Sequence, residues 1–286
     1  MRGAEAGELG TKLSWRKGSS TGLYTERIAS DLMSEMTVKL GPLSTKFFFL
    51  RPWTDAYPAC QEWEDEFGRL LAFAEAQGQF SNYLPRLRTP RNNQRDEALN
   101  ELRVAFFLHR SGFPIVAWEP PGQGGKVGEY TIQAQEGGKI FTEVKSRGWE
   151  SELTQAERLA GRAKLPKYID GDGGEFATWQ GLRDCIAAAY AKFRSDEQNL
   201  LVIADDFFVS LTDLPLFVDV ALFDKGTGYG GEAGYFTAAA YENLGGLAVF
   251  AATVKDGMVQ YKFHVYENPF ALPQTKLPAS LAALSA

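Results

Sequence analysis

The sequence predicts an α/β fold, a mixed sheet of the α+β kind flanked by helices, and three observations lead there. Residues 113–145 hold three short apolar runs cut by Gly-rich turns. A helical apolar stripe precedes them over 92–110, and another follows over about 175–194. The second stripe leads into a buried-looking strand, Asn199 to Ala204. Short runs between Gly and Pro punctuation read as strands, whereas recurrence at three and four residues reads as helix. The order is therefore helix, three-strand meander, helix, strand: αβββαβ. A helix joining two strands acts as a crossover, so the last strand can lie parallel to its sheet neighbour.

Taken in order, residues 1–36 mix Gly, Ser and alternating charge without periodicity, and a poorly ordered arm is expected. Residues 37–89 read as a helical N-terminal extension. Within it, 61–77 has helical spacing of Trp63, Phe67, Leu70, Leu71 and Ala74, with Gly78 as the stop. An extended connector punctuated by Pro85 and Pro90 should follow. The core is assigned to 90–205. Its first helix, 92–110, ends at Gly112; a strand runs from Phe113 to Glu119, and a Pro-Pro-Gly-Gln-Gly-Gly loop fills 120–125. The second strand is 129–135, Glu136-Gly137-Gly138 turns tightly, and the third strand is 139–145. After a less regular stretch, 149–174, the next helix carries Phe176, Trp179, Leu182, Ile186, Ala189, Tyr190 and Phe193 on one stripe. Residues 206–286 read as a β-rich C-terminal extension packed on the core. It contains a hairpin of 247–254 and 259–266, turning at Lys255-Asp256-Gly257-Met258.

Composition excludes several classes. With 44% hydrophobic and 13% aromatic residues, the chain has the apolar content of a packed core rather than of a disordered segment. Only His109 and His264 are present, which excludes a histidine-rich zinc site. Cys60 and Cys185 are far apart and lack metal-ligand spacing, so they read as reduced, small apolar residues. The net charge of -6 is not that of a protein coated for nucleic acid, but the charge is uneven. Residues 200–286 carry nine acids against four Lys, whereas Arg86, Arg88, Arg91 and Arg95 share a stretch without an acid. A polyanion would meet that local patch; a solvated loop is the equal alternative. No apolar run reaches the roughly 18–20 residues of a membrane span, and no secretory h-region follows Met1. The expectation is a soluble, cytoplasmic protein without membrane contact.

The chemistry concentrates in Lys-Ile-Phe-Thr-Glu-Val-Lys at 139–145. Side chains on a strand alternate, so Glu143 and Lys145 share one face and Val144 packs on the other. A carboxylate and an ammonium aimed together suit a hard metal ion beside a polarised water. Glu101 falls in the apolar stripe of its helix with Ala98, Val104, Ala105 and Leu108, while Asp96, Arg103 and Arg110 lie opposite. A Glu there must be paired, protonated or metal-bound, because an isolated buried carboxylate is costly. Glu97, one turn earlier, is a further ligand or the rim. Glu129 opens the second strand, and a hairpin brings it to the same end as Glu143. Two such carboxylates repel, and a divalent cation relieves the conflict. Mg²⁺ suits it, with oxygen ligands, retained waters and no need for His or Cys.

Glu101 on a helix, Glu129 on a following strand, then Glu143-Val144-Lys145 resembles the core of the PD-(D/E)xK nuclease superfamily, the restriction-endonuclease-like fold. The segment Glu101 to Phe113 also resembles its first core helix, and the likeness covers about 90–205. It implies a central mixed sheet between helices and Mg²⁺-dependent phosphodiester hydrolysis, with Mn²⁺ as a substitute. It further implies that Glu129, Glu143 and the Val144 carbonyl hold the metal, with Glu101 reaching it directly or through water. Lys145 would orient the attacking water. One departure stands out: the family's first acid is Asp preceded by Pro, and here Gly128-Glu129 takes that place.

Contacts to nucleic acid, DNA above all, are expected from Arg91 and Arg95, from Ser146 and Arg147 directly after the lysine, and from Arg158, Arg162, Lys164 and Lys167. Gly122-Gln-Gly-Gly125 is not a phosphate loop, because it lacks the terminal Lys-Ser/Thr. Trp53, Trp118 and Trp149 read as core or rim packing. Three readings stay open: a metal-dependent nuclease, a catalytically inactive nuclease-fold module that binds nucleic acid or protein, and another α/β enzyme with a chance motif. A homodimer is compatible with each.

Overall fold

The structure, a computed structural model, describes residues 60–87, 92–146, 183, 185–204, 218, 221–223 and 233–284. The expected N-terminal arm and the stretch 149–174 lie outside these residues. Three helices come first. Helix α1, Cys60–Ala76, buries Phe67, Leu70, Leu71 and Ala74 as their spacing predicts, and Gly78 follows it at φ +68°. Helix α2, Phe80–Leu87, stands where an extended connector was expected. Pro85 lies inside it and removes one backbone N–H donor. Burial of Tyr83 and Leu87 outweighs that cost. Helix α3, Asn92–Arg110, has the predicted bounds. It ends as a Schellman motif: Gly112 at φ +89° donates to the His109 carbonyl, and Phe113 N–H donates to the Leu108 carbonyl over 3.0 Å.

The strands are β1 Ile115–Trp118, β2 Tyr130–Gln133, β3 Lys139–Ser146, β4 Gln198–Ala204, β5 Gly246–Lys255 and β6 Met258–Glu267. They form one six-stranded sheet in the order β1-β2-β3-β4-β5-β6. The β1–β3 meander is antiparallel, β4 is parallel to both β3 and β5, and β5–β6 is an antiparallel hairpin. The connection from β3 to β4 contains the helical residues 185–190, as a crossover between parallel strands requires. That helix stops at Tyr190, short of the expected 194, because Lys192 and Phe193 turn back to donate to the Ala189 and Tyr190 carbonyls. The last hairpin turns at Asp256-Gly257, both at positive φ, which matches the right-handed twist of the strands. It continues the central sheet instead of forming a separate layer on the core.

Alternation divides the sheet into two faces. Ile132, Ile140, Val144, Leu200, Val202 and Phe250 pack with α1, α2 and α3. Phe141, Leu201, Ile203, Leu247 and Val249 pack on the other side with Ile186, Ala189, Phe193 and Phe236. The fold is a mixed α+β arrangement in three layers. Among the described residues no helix is long and apolar enough to cross a membrane.

Arg103 departs from its expected solvated face: it is only 3% exposed. Helix α1 covers that face, and Glu66, 1% exposed, meets the guanidinium at 2.7 and 3.0 Å. Tyr261 on β6 donates to the same carboxylate over 2.6 Å. A single helical wheel sees one apolar face; a helix packed on two sides has a second, and here that one is polar. Arg103→Met leaves Glu66 buried without its cation. Denaturant unfolding should show a loss of about 3–5 kcal/mol. The double variant Glu66→Met/Arg103→Met should recover most of it.

Candidate active site

Glu143 and Lys145 project from the same face of β3, as alternation dictates, and Val144 packs on the other. Glu143 has no exposed surface, yet it carries two ion pairs on one oxygen. The Lys145 and Lys192 ammonium groups each stand 2.5 Å from its Oε1. Its Oε2 is equally buried and accepts no hydrogen bond among the described residues. Two cations therefore serve one half of the carboxylate, and the other half meets no hydrogen bond among the described residues. Burial alone would lower the Lys145 ammonium, but Glu143, its hydrogen bond and then Glu129 hold it above the ordinary lysine value.

Lys192 was not among the predicted residues. It lies 49 positions beyond Glu143, just past the crossover helix, within a stretch read as apolar stripe. The Gly-rich loop after β1 puts it in place. Gln123 N–H donates to the Lys192 carbonyl over 2.8 Å, and a Cβ at Gly122 would lie 2.8 Å from that carbonyl oxygen. No local pattern reports a contact of this range.

Glu129 sits where the predicted hairpin puts it. Tyr130 pairs with Thr142, so the residue before it faces Glu143 across the β2–β3 ladder. Its backbone is fixed on both sides. Glu119 N–H donates to the Glu129 carbonyl over 3.0 Å, and Glu129 N–H donates to the Thr142 carbonyl over 3.3 Å. Burial, then the charges of Glu101 and Glu143, push its carboxyl up to about 8, against the pull of Lys192 and Lys145. The glycine before it also has a reason. A Cβ at Gly128 would stand 2.2 Å from the Phe141 ring, so proline cannot occupy that position.

Glu101 is buried, as its place in the apolar stripe predicts, and is 6% exposed. Its charge is met by Arg86 of α2, which donates to both carboxylate oxygens over 2.6 Å. Arg86 thereby clamps Glu101 between α2 and α3, a guanidinium satisfying both carboxylate oxygens at once. Arg86 in turn is part of a structural pair, its side chain still 41% exposed. Burial and the nearby Glu101 charge push the Tyr83 phenol up, and its hydroxyl bonds to the same carboxylate. Tyr130 is fully buried beside this group, and its hydroxyl makes no hydrogen bond among the described residues.

Ser146 is occupied by the scaffold: it accepts from Asn100 Nδ2 over 2.6 Å and donates to the Ala204 carbonyl over 3.1 Å. Trp118 packs edge-on to Tyr130 and Tyr83, in keeping with rim packing. Trp53, Trp149, Arg91, Arg147, Arg158, Arg162, Lys164 and Lys167 lie outside the described residues, as does the side chain of Arg95. Among the described residues no group of three or more His, Cys, Asp or Glu is placed to hold a metal ion. The acids that come together are Glu129 and Glu143. Comparison with protein-family models, with curated proteins and with solved structures returns no match.

The Glu129 environment sets a pH dependence. The unfolded chain releases this proton near 4.5, whereas the folded protein keeps it to about 8. The folded state binds the extra proton across that window, so metal-free stability falls as pH rises through it. Glu129→Gln should flatten this part of the stability curve and exceed the parent above pH 8. Urea unfolding in EDTA at a series of pH values measures it, and parallel curves for the two proteins would contradict the assignment.

Proposed function

We propose that this chain is a metal-dependent phosphodiesterase acting on nucleic acid, DNA in the first place, with a restriction-endonuclease-like core. The observation that carries the reading is Glu143: fully buried, with two ammonium groups on Oε1 and no hydrogen bond on Oε2, opposite a second carboxylate. The order of elements supports it too, with a helix, an antiparallel meander, a crossover and a parallel strand.

The donor set suits Mg²⁺, with Mn²⁺ as a substitute. Mg²⁺ keeps several waters and needs only one or two carboxylates. Glu129 and Glu143 Oε2 would hold it together with the Val144 carbonyl. That carbonyl shares the β2 edge of β3 with the Thr142 carbonyl, because backbone groups alternate sides along a strand. The bound cation would supply charge neutralisation at the phosphate and at the attacking water. Lys145 stands beside Glu143 and orients that water by hydrogen bonding. In the reaction a water oxygen bonds to phosphorus while the P–O bond to the departing sugar breaks. The water's proton ends on that departing oxygen.

A second reading, a nuclease-fold module without catalysis, gains weight from the pairing already present. Arg86 neutralises Glu101, and two lysines meet Glu143, so the charges of these two acids are balanced without a metal. The two readings part under titration. Mg²⁺ or Mn²⁺ at 100 times its Kd should stabilise the nuclease by about 2.7 kcal/mol, seen as a rise in Tm. No rise with either ion favours the second reading. Glu143→Gln and Lys145→Ala are each expected to abolish cleavage of plasmid DNA while keeping the parent circular dichroism spectrum. Cleavage that survives in both variants refutes the assignment.

A further inference from the structure

We propose that Lys192 is a second catalytic lysine, whose ammonium contacts a non-bridging oxygen of the scissile phosphate. The inference rests on the phosphodiesterase reading and adds to it a residue that the Glu-x-Lys pattern does not contain.

Three independent features place Lys192 there. Its Nζ shares one oxygen of Glu143 with Lys145, which sets two ammonium groups around a single atom at a spacing one phosphate group spans. Both side chains keep a fraction of their surface open, 27% for Lys145 and 18% for Lys192, whereas Glu143 has none. A ligand approaching from solvent thus meets the ammonium groups before it meets the carboxylate. The backbone is committed as well: the Lys192 carbonyl accepts from Gln123 N–H, and the loop approaches so closely that only glycine fits at 122.

Charge arithmetic gives the direction. One carboxylate for two ammonium groups leaves net positive charge on the partly exposed lysines. Glu129 and Glu143 would hold a divalent cation, whose charge would compete for the same carboxylate and free the two lysines to meet the phosphate. Lys145 is then the lysine of the water, and Lys192 the lysine of the phosphate. Donors fixed on developing negative charge in a buried site act on the transition state more than on the ground state.

The test uses the full chain and two readouts. In Mg²⁺, Lys192→Met should lower kcat on duplex DNA on the order of 100-fold. Its Mg²⁺-induced Tm rise should be kept, and Lys192→Arg should recover part of the rate. The second readout needs neither metal nor turnover: anisotropy of a fluorescein-labelled DNA duplex in EDTA. Glu143→Gln removes the charge that holds both ammonium groups, so the duplex should bind about tenfold more tightly than to the parent, the value of one charged contact. In Glu143→Gln/Lys192→Met that gain should vanish. If Lys192→Met does not fold, Lys192→Gln takes its place in both assays.

Parent-like kcat in Lys192→Met, or a binding gain that persists in the double variant, overturns the role of Lys192 alone. A parent protein that neither cleaves nor gains duplex affinity on Glu143→Gln overturns the phosphodiesterase reading itself. Loss of the Tm rise in Lys192→Met together with its activity assigns Lys192 to the scaffold, which also overturns the proposal.

Discussion

A carboxylate without exposed surface cannot stand alone, and the structure around Glu143 follows from that constraint. Removing such a charge from water costs several kcal/mol, and only close opposite charge repays it. Lys145 comes with the strand itself, two residues on and on the same face. Lys192 comes from the far end of the crossover and needs the 120–128 loop to hold its backbone. Both ammonium groups gather on one oxygen, and the other accepts no hydrogen bond among the described residues. Glu129 adds a second acid directly across the ladder. Burial, charge and register thus converge where β2 begins and β3 continues past it.

A hydrogen-bonded line ties this edge to the rest of the molecule. Tyr261 on β6 bonds Glu66 on α1, which pairs with Arg103 on α3. Asn100, one turn earlier on α3, bonds Ser146 at the end of β3, and Ser146 bonds the Ala204 carbonyl at the end of β4. Two layers, helices α1 and α3 and the sheet, are thereby tied together at the end of β3. A short strand end would otherwise fray, and a frayed β3 would not keep Lys145 within reach of Glu143. Buried polar contacts of this kind add little net stability but penalise every arrangement that breaks them. Their effect here is on geometry.

Much of the meander and its flanking elements was legible from the sequence. Helix 92–110, its glycine stop, the order of strands and the parallel β4 follow from periodicity, turn chemistry and the crossover rule. The connector at 80–87 was not legible, since Pro85 argued against a helix that tertiary burial of Tyr83 and Leu87 sustains. Nor was the second, polar face of α3, where Arg103 meets Glu66. The partner of Glu101 was foreseen only as a necessity, and its identity as Arg86 came from the packing of α2 on α3.

By itself the sequence determined which side chains share a face: Glu143 with Lys145, Glu101 with the apolar stripe, Glu129 with the start of a returning strand. Those relations follow from the fixed periods of strand and helix, which operate over a few residues and need no knowledge of the rest. The tertiary structure alone decided what each buried charge would touch. Lys192 reaches Glu143, Arg86 takes Glu101, and Gly128 yields to the ring of Phe141. Those contacts join segments that chain closure and packing bring together, and the energy that selects them is the cost of leaving a buried charge or a filled volume unmatched.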